Sequence, residues 1–142
     1  MIQRIQSVWL LLAAICGFLA TKPPIFSGTL ANNAPADLLV GNSLLLFAVL
    51  VGIACLSSIA IFLFKNRPIQ TRLCIVNIIL AVAAIALEVK NVEDFKKATP
   101  GMVKGAYQLG ALLPILIIIF LIMAIRGIHK DQKLVKSLDR LR

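Results

Sequence analysis

Residues 38–64, LLVGNSLLLFAVLVGIACLSSIAIFLF, run without one Lys, Arg, Asp or Glu. A helix advances about 1.5 Å per residue and the hydrocarbon core of a bilayer is about 30 Å thick, so about 20 such residues suffice to cross it. This stretch exceeds that length. Three further apolar blocks flank it, at residues 5–20, 73–87 and 106–125. The first and third are shorter and need their polar flanks to reach the interface. The pattern predicts an all-α membrane protein: four transmembrane helices at about residues 5–21, 38–64, 73–88 and 106–126 in an up-down bundle. Residues 1–129 form the membrane domain and 130–142 a basic cytoplasmic tail.

Polar breakers divide the blocks. Lys22-Pro23-Pro24 ends the first helix, because proline cannot supply the N–H that a helix needs. Lys65-Asn66-Arg67-Pro68 ends the second, and Thr99-Pro100-Gly101 lies in the third connection. Pro114 falls inside the fourth block, where it predicts a static kink whose freed backbone groups are met by neighbours. Residues 21–37, rich in Pro, Asn and Gly, read as an irregular loop. Residues 89–105 mix charges of both signs and are expected to cover the outer mouth of the bundle. The short connection at 65–72 makes helices two and three antiparallel neighbours.

Composition agrees with a lipid solvent. The chain is 60% hydrophobic and 15% charged, with a mean hydropathy of +0.95. A soluble domain is about 45–50% apolar and about 25% charged. The net charge of +9 comes from 15 Lys and Arg against 6 Asp and Glu. These bases flank the apolar blocks, where the positive-inside rule accounts for them, and no nucleic-acid motif accompanies them. Nucleic acid is therefore not an expected partner. With the N-terminus inside, ten bases fall on the cytoplasmic side: Arg4, Lys65, Arg67, Arg72, Arg126, Lys130, Lys133, Lys136, Arg140 and Arg142. Five fall outside: Lys22, Lys90, Lys96, Lys97 and Lys104. Both termini are accordingly expected in the cytoplasm, with Trp9 and Tyr107 near opposite faces. Phe18 is too bulky for the minus-three site of a cleavage after Ala20, so the first block is expected to be retained as a helix.

Few residues offer chemistry. Glu88 and Asn77 are the candidate intramembrane polar groups, since such groups are costly in lipid. Glu88 is expected at the outer end of helix three as an interfacial carboxylate. Asn77, like Asn42-Ser43 and Ser57-Ser58, is expected to hydrogen-bond between helices. Ala13 with Gly17, and Ala48 with Gly52, have the four-residue spacing of close helix packing. Cys16, Cys55 and Cys74 lie in apolar blocks with no CxxC pair and read as small buried hydrophobes. His129 sits in the basic tail with no positioned partner. No catalytic, cofactor or metal set is present, and the chain reads as a non-enzyme without cofactors. In the tail, Leu134, Leu138 and Leu141 share one helical face, which suits a short amphipathic helix on anionic headgroups.

Three stretches carry a family likeness: MIQRIQSVWLLLAA at the start, FKNRPIQTRLCIVN between helices two and three, and LPILIIIFLIMAIRGIHKDQKLVKSLDRLR at the end. The sequence resembles a family of small four-span membrane proteins of Bacteroidetes-type bacteria whose function is not established. The resemblance implies an inner-membrane location and supplies no catalytic residue, substrate or cofactor. All three stretches fall on the face assigned to the cytoplasm. That face is the expected contact surface for a partner or lipid, through Arg4, Arg67, Gln70, Arg72, Lys130, Asp131, Lys133, Lys136 and Arg140. The expected function is an accessory or scaffold subunit of a larger inner-membrane assembly. The alternative is a small transporter or a binder of a lipid or hydrophobic ligand, with Pro114, Asn77 and Glu88 at its site.

Overall fold

The computed structural model describes residues 3–32, 34–64 and 66–139, with side chains from residue 5 to residue 133. Within them the chain forms four α-helices: α1 (Gln3–Leu19), α2 (Leu44–Phe62), α3 (Arg67–Ala98) and α4 (Leu109–Asp139). Three of the four, α2, α3 and α4, are long and apolar enough to cross a membrane. The apolar part of α1, Ile5–Leu19, is shorter. Helix α1 packs on α2 and α4, and α3 packs on the same two, which closes a ring in chain order.

One period governs the packing. The repeat runs through buried positions 6, 10, 13, 17 and 20 at α1, and 46, 50, 53, 57 and 60 on α2, with Ala14 and Ala54 buried beside it. They are 70, 74, 77, 81, 84 and 88 on α3, and 110, 114, 117, 121, 124, 128 and 131 on α4. Alternating steps of four and three average 3.5 residues, the repeat of helices that pack knobs into holes with a left-handed supercoil. The outward faces hold large apolar side chains, among them Ile5, Val8, Leu11 and Ile15 on α1 and Ile75, Ile79 and Val82 on α3. The seam mixes large apolar side chains such as Leu10, Leu50, Ile53, Ile117 and Leu121 with small and polar ones, including Gln6, Ala13, Ser57, Gln70, Asn77 and Ala81. A water-soluble bundle would instead carry polar residues on its outward faces; in lipid, close approach and interhelical hydrogen bonds contribute to packing. A Cβ on Gly17 would lie 2.9 Å from the Ala54 Cβ, so α1 and α2 touch almost backbone to backbone there. The expected Ala48–Gly52 pair does not pack: Ala48 is exposed and Gly52 faces open space.

The connections at one end are more ordered than the sequence suggested. Residues 21–37, expected as an irregular loop, contain β1 (Pro24–Leu30) and the start of β2 (Pro35–Leu39). Together with β3 (Met102–Tyr107) they form a three-stranded antiparallel sheet in the order β2-β1-β3. The β1–β2 turn is closed by the Leu30 N–H donating to the Ala34 carbonyl at 3.0 Å. The Ala34 N–H donates to Asn32 Oδ1 at 3.2 Å, the local bond that favours Asn in turns. Phe26 anchors the sheet to the bundle. Its ring meets Tyr107 edge-on at 5.5 Å and Phe95 at 6.5 Å, and Lys96 Nζ lies 4.9 Å from its centre. On β3, two residues before its strand partner Tyr107, Gly105 leaves room for the Phe26 ring, which a Cβ there would overlap. The architecture is thus a helical bundle with a small β cap.

Helix limits move accordingly. Residues 38–43, expected at the start of helix two, belong to β2, a 3-10 turn (Val40–Asn42) and the N-cap Ser43; Asn42-Ser43 therefore precedes α2. Helix α3 begins at Arg67, with Pro68 in the first turn where its missing N–H costs nothing. It continues through residues 89–98, which were expected in a connection. Helix α4 accommodates Pro114 without a break and runs on to Asp139, so residues 130–139 continue α4. The side chains of Leu134, Leu138 and Leu141 lie outside the described residues, as do those of Arg4, Lys136 and Arg140.

Candidate functional site

Polar side chains reach the interior at three levels. Midway along the bundle, Asn77 Nδ2 donates to Ser57 Oγ at 2.8 Å and to the Ile53 carbonyl at 3.2 Å. These bonds tie α3 to α2, the expected interhelical role, and the geometry is that of a structural clasp. Ser58 instead donates to Ala54 of its own helix at 2.9 Å.

At the end away from the sheet, three of the expected contact residues are turned to internal use. Gln70 is fully buried, and its Nε2 donates to the Ala60 carbonyl at 3.0 Å, joining the last turn of α2 to the first of α3. Arg67 pairs with Asp131 across α3 and α4. Arg72, Lys130 and Lys133 remain exposed. Gln6, buried against Gly127 of α4, has neither amide atom hydrogen-bonded. Sequence reasoning missed Gln6, although its step of four to Leu10 places it on the seam.

The sheet end holds the arrangement with the most chemical potential. Glu88 was expected at the edge of helix three, yet it is only 3% exposed and lies well before the end of α3 at Ala98. Its Oε1 is enclosed and has no hydrogen-bond partner. Among the described residues the ion pair is Arg67–Asp131, and Glu88 has none. One turn on, Asn91 Nδ2 is also buried without a partner; the sequence reading passed over it. Glu88 lines a cleft of about 430 Å³ between α3 and α4, with Ile85, Tyr107, Gln108, Leu112 and Ile115 among its walls. Leu112 and Ile115 belong to the outward apolar face of α4, so the cleft opens sideways where lipid would lie. Small-molecule sites share this character: about 300–1,000 Å³, mostly apolar, with a few placed polar groups. Pro114 faces the bundle interior one residue from Ile115 and is not a wall of the cleft.

The sequence matches the family described as a domain of unknown function, DUF4293, over residues 2–141. The chain belongs to that family. No curated protein and no solved structure matches it. Membership therefore brings no reaction or ligand, and the site has to be read from its own geometry. Of the three cysteines, Cys74 is buried and Cys16 half-buried, whereas Cys55, expected inside, is exposed on the outward face of α2. Among the described residues no cluster of three His, Cys, Asp or Glu is placed to hold a metal ion.

Proposed function

We propose that this DUF4293 chain is a four-span, non-enzymatic protein of a bacterial inner membrane that binds an amphipathic ligand in the cleft beside Glu88. The observation that carries the reading is a buried carboxyl without a partner in the wall of an apolar, sideways-open cleft. An ionisable group inside a membrane is costly and is usually tied to function. Crossing by α1 is supported by its exposed stripe Ile5, Val8, Leu11, Ile15 and Phe18, continuous in character with the outward faces of the longer helices. The excess of bases at the end away from the sheet supports both termini in the cytoplasm. The resemblance to small inner-membrane proteins of Bacteroidetes-type bacteria supports the location.

A photo-crosslinking amino acid at Leu112, in the cleft wall, tests the binding reading. Irradiation of membranes is expected to yield lipid-sized adducts identifiable by mass. Adducts with protein alone would overturn it. They would favour a second reading, an accessory or scaffold subunit, for which the exposed Arg72, Lys130 and Lys133 offer a contact surface toward anionic headgroups or another membrane protein.

A further inference from the structure

The walls of the cleft restrict the head of its ligand. Glu88 supplies the carboxyl, and Tyr107 and Gln108 are the other polar side chains there. None of the wall residues is Lys, Arg or His. A phosphate or carboxylate head would therefore meet a carboxyl group with no cation in the cleft walls to offset it; Lys96 Nζ, 5.8 Å from the Tyr107 ring centre, lines the separate pocket beside Phe26. A sugar-sized head would need several hydrogen-bond partners, and an unmet polar group costs about 1–3 kcal/mol once buried. An amine suits the carboxyl however the proton is divided between them: ammonium with carboxylate, or amine with carboxylic acid. Either arrangement has zero net charge.

We propose that the cleft between α3 and α4 takes the amine head of a single-chain amphiphile against the Glu88 carboxyl, with its chain laid along Ile85, Leu112 and Ile115. This inference rests on the reading that the cleft binds an amphipathic ligand, and it adds the head-group class. The chain enters from the side, because Leu112 and Ile115 are both exposed on the outward face of α4. The head is drawn inward past them to the seam position that Glu88 occupies on α3.

The test uses the full chain in a non-ionic detergent, with dodecylamine, dodecanol and dodecanoate as probes of equal chain length, and bound mass read by native mass spectrometry. The amine is expected to bind about ten-fold or more tightly than the alcohol, and the carboxylate more weakly than both. Glu88→Gln is expected to bring the amine to the affinity of the alcohol, and a circular-dichroism spectrum and thermal midpoint like those of the unmodified protein report that the variant is folded. Ala111→Phe, which fills the cleft, is expected to weaken both. If amine and alcohol bind the unmodified protein equally, the amine assignment is overturned while the amphipathic cleft stands; this comparison needs no variant. If no probe binds, the cleft reading and the inference fall together.

Discussion

Arg67 Nη2 lies 2.9 Å from Asp131 Oδ2, and the pair braces the first turn of α3 against the later turns of α4. Both side chains are mostly shielded, with 21% and 10% of their surfaces exposed. A shielded pair behaves differently from a surface one: removing one partner strands the other charge. Arg67→Ala or Asp131→Ala alone is expected to cost about 1–3 kcal/mol. The double variant should cost less than the two single losses added together. Thermal unfolding in detergent across the four proteins measures the coupling. Strictly additive losses would show that the pair is not an energetic unit.

The amide of Asn77 holds two acceptors on α2, Ser57 Oγ and the Ile53 carbonyl. Asn77→Leu is expected to destabilise the bundle by about 0.6 kcal/mol, the average for interhelical hydrogen bonds in membranes, and by no more than about 1.7 kcal/mol. Ser57→Ala should cost less, because the Ile53 carbonyl remains as a partner. Equal losses in the two variants, measured by denaturant titration in mixed micelles, would contradict a shared clasp.

Gly17 and Ala54 set the separation of α1 and α2. Gly17→Ala places a methyl group 2.9 Å from the Ala54 Cβ, closer than packed carbons approach. A loss of about 1–3 kcal/mol is expected from such overpacking. Ala54→Gly in the same chain should return most of it by vacating that space. Thermal midpoints of the two single variants and the double variant decide the matter.

The proposed orientation is tested by single cysteines in a chain whose Cys16, Cys55 and Cys74 are replaced by Ala. A membrane-impermeant thiol reagent applied to intact cells should label cysteine at Ser27 or Thr99, at the sheet end. It should leave Asn66 and Ser137 unlabelled until the cells are opened. Labelling of Asn66 in intact cells would refute the arrangement with both termini inside.

Much of the helical architecture was legible because lipid imposes long charge-free runs, and residues 38–64 are the clearest of them. Helix ends were less legible for the same reason: a drop in hydropathy marks the edge of the apolar region, not the edge of the helix. Helix α3 therefore extends past both its charged flanks, from Arg67 to Ala98. The sheet was hidden because its strands have only five to seven residues and include Pro24, Pro35, Gly28 and Gly105. Its β1–β3 pairing also joins parts of the chain that are remote in sequence, such as Ser27 and Ala106. Asn77 was readable as a partner-seeking amide. The burial of Glu88 was not, because it depends on that extension of α3 and on its packing beside α4, where Tyr107 lines the same cleft.

Strand β1 lies between α1 and α2 in the chain, whereas β3 lies between α3 and α4, and the two pair directly. The chain emerges from synthesis in order, so β1 and β2 can form a hairpin early, but β3 can join only after α3 has been made. In the proposed four-span arrangement the third strand also has to reach the same side of the membrane as the first, which requires the two helical hairpins to insert in the same sense. Completion of the sheet is thus conditional on correct insertion of both halves. A chain with its second hairpin inverted would leave β1 with an unpaired edge, open to aggregation or proteolysis. In the proposed arrangement the paired edge of β1 distinguishes the finished bundle from a misinserted one.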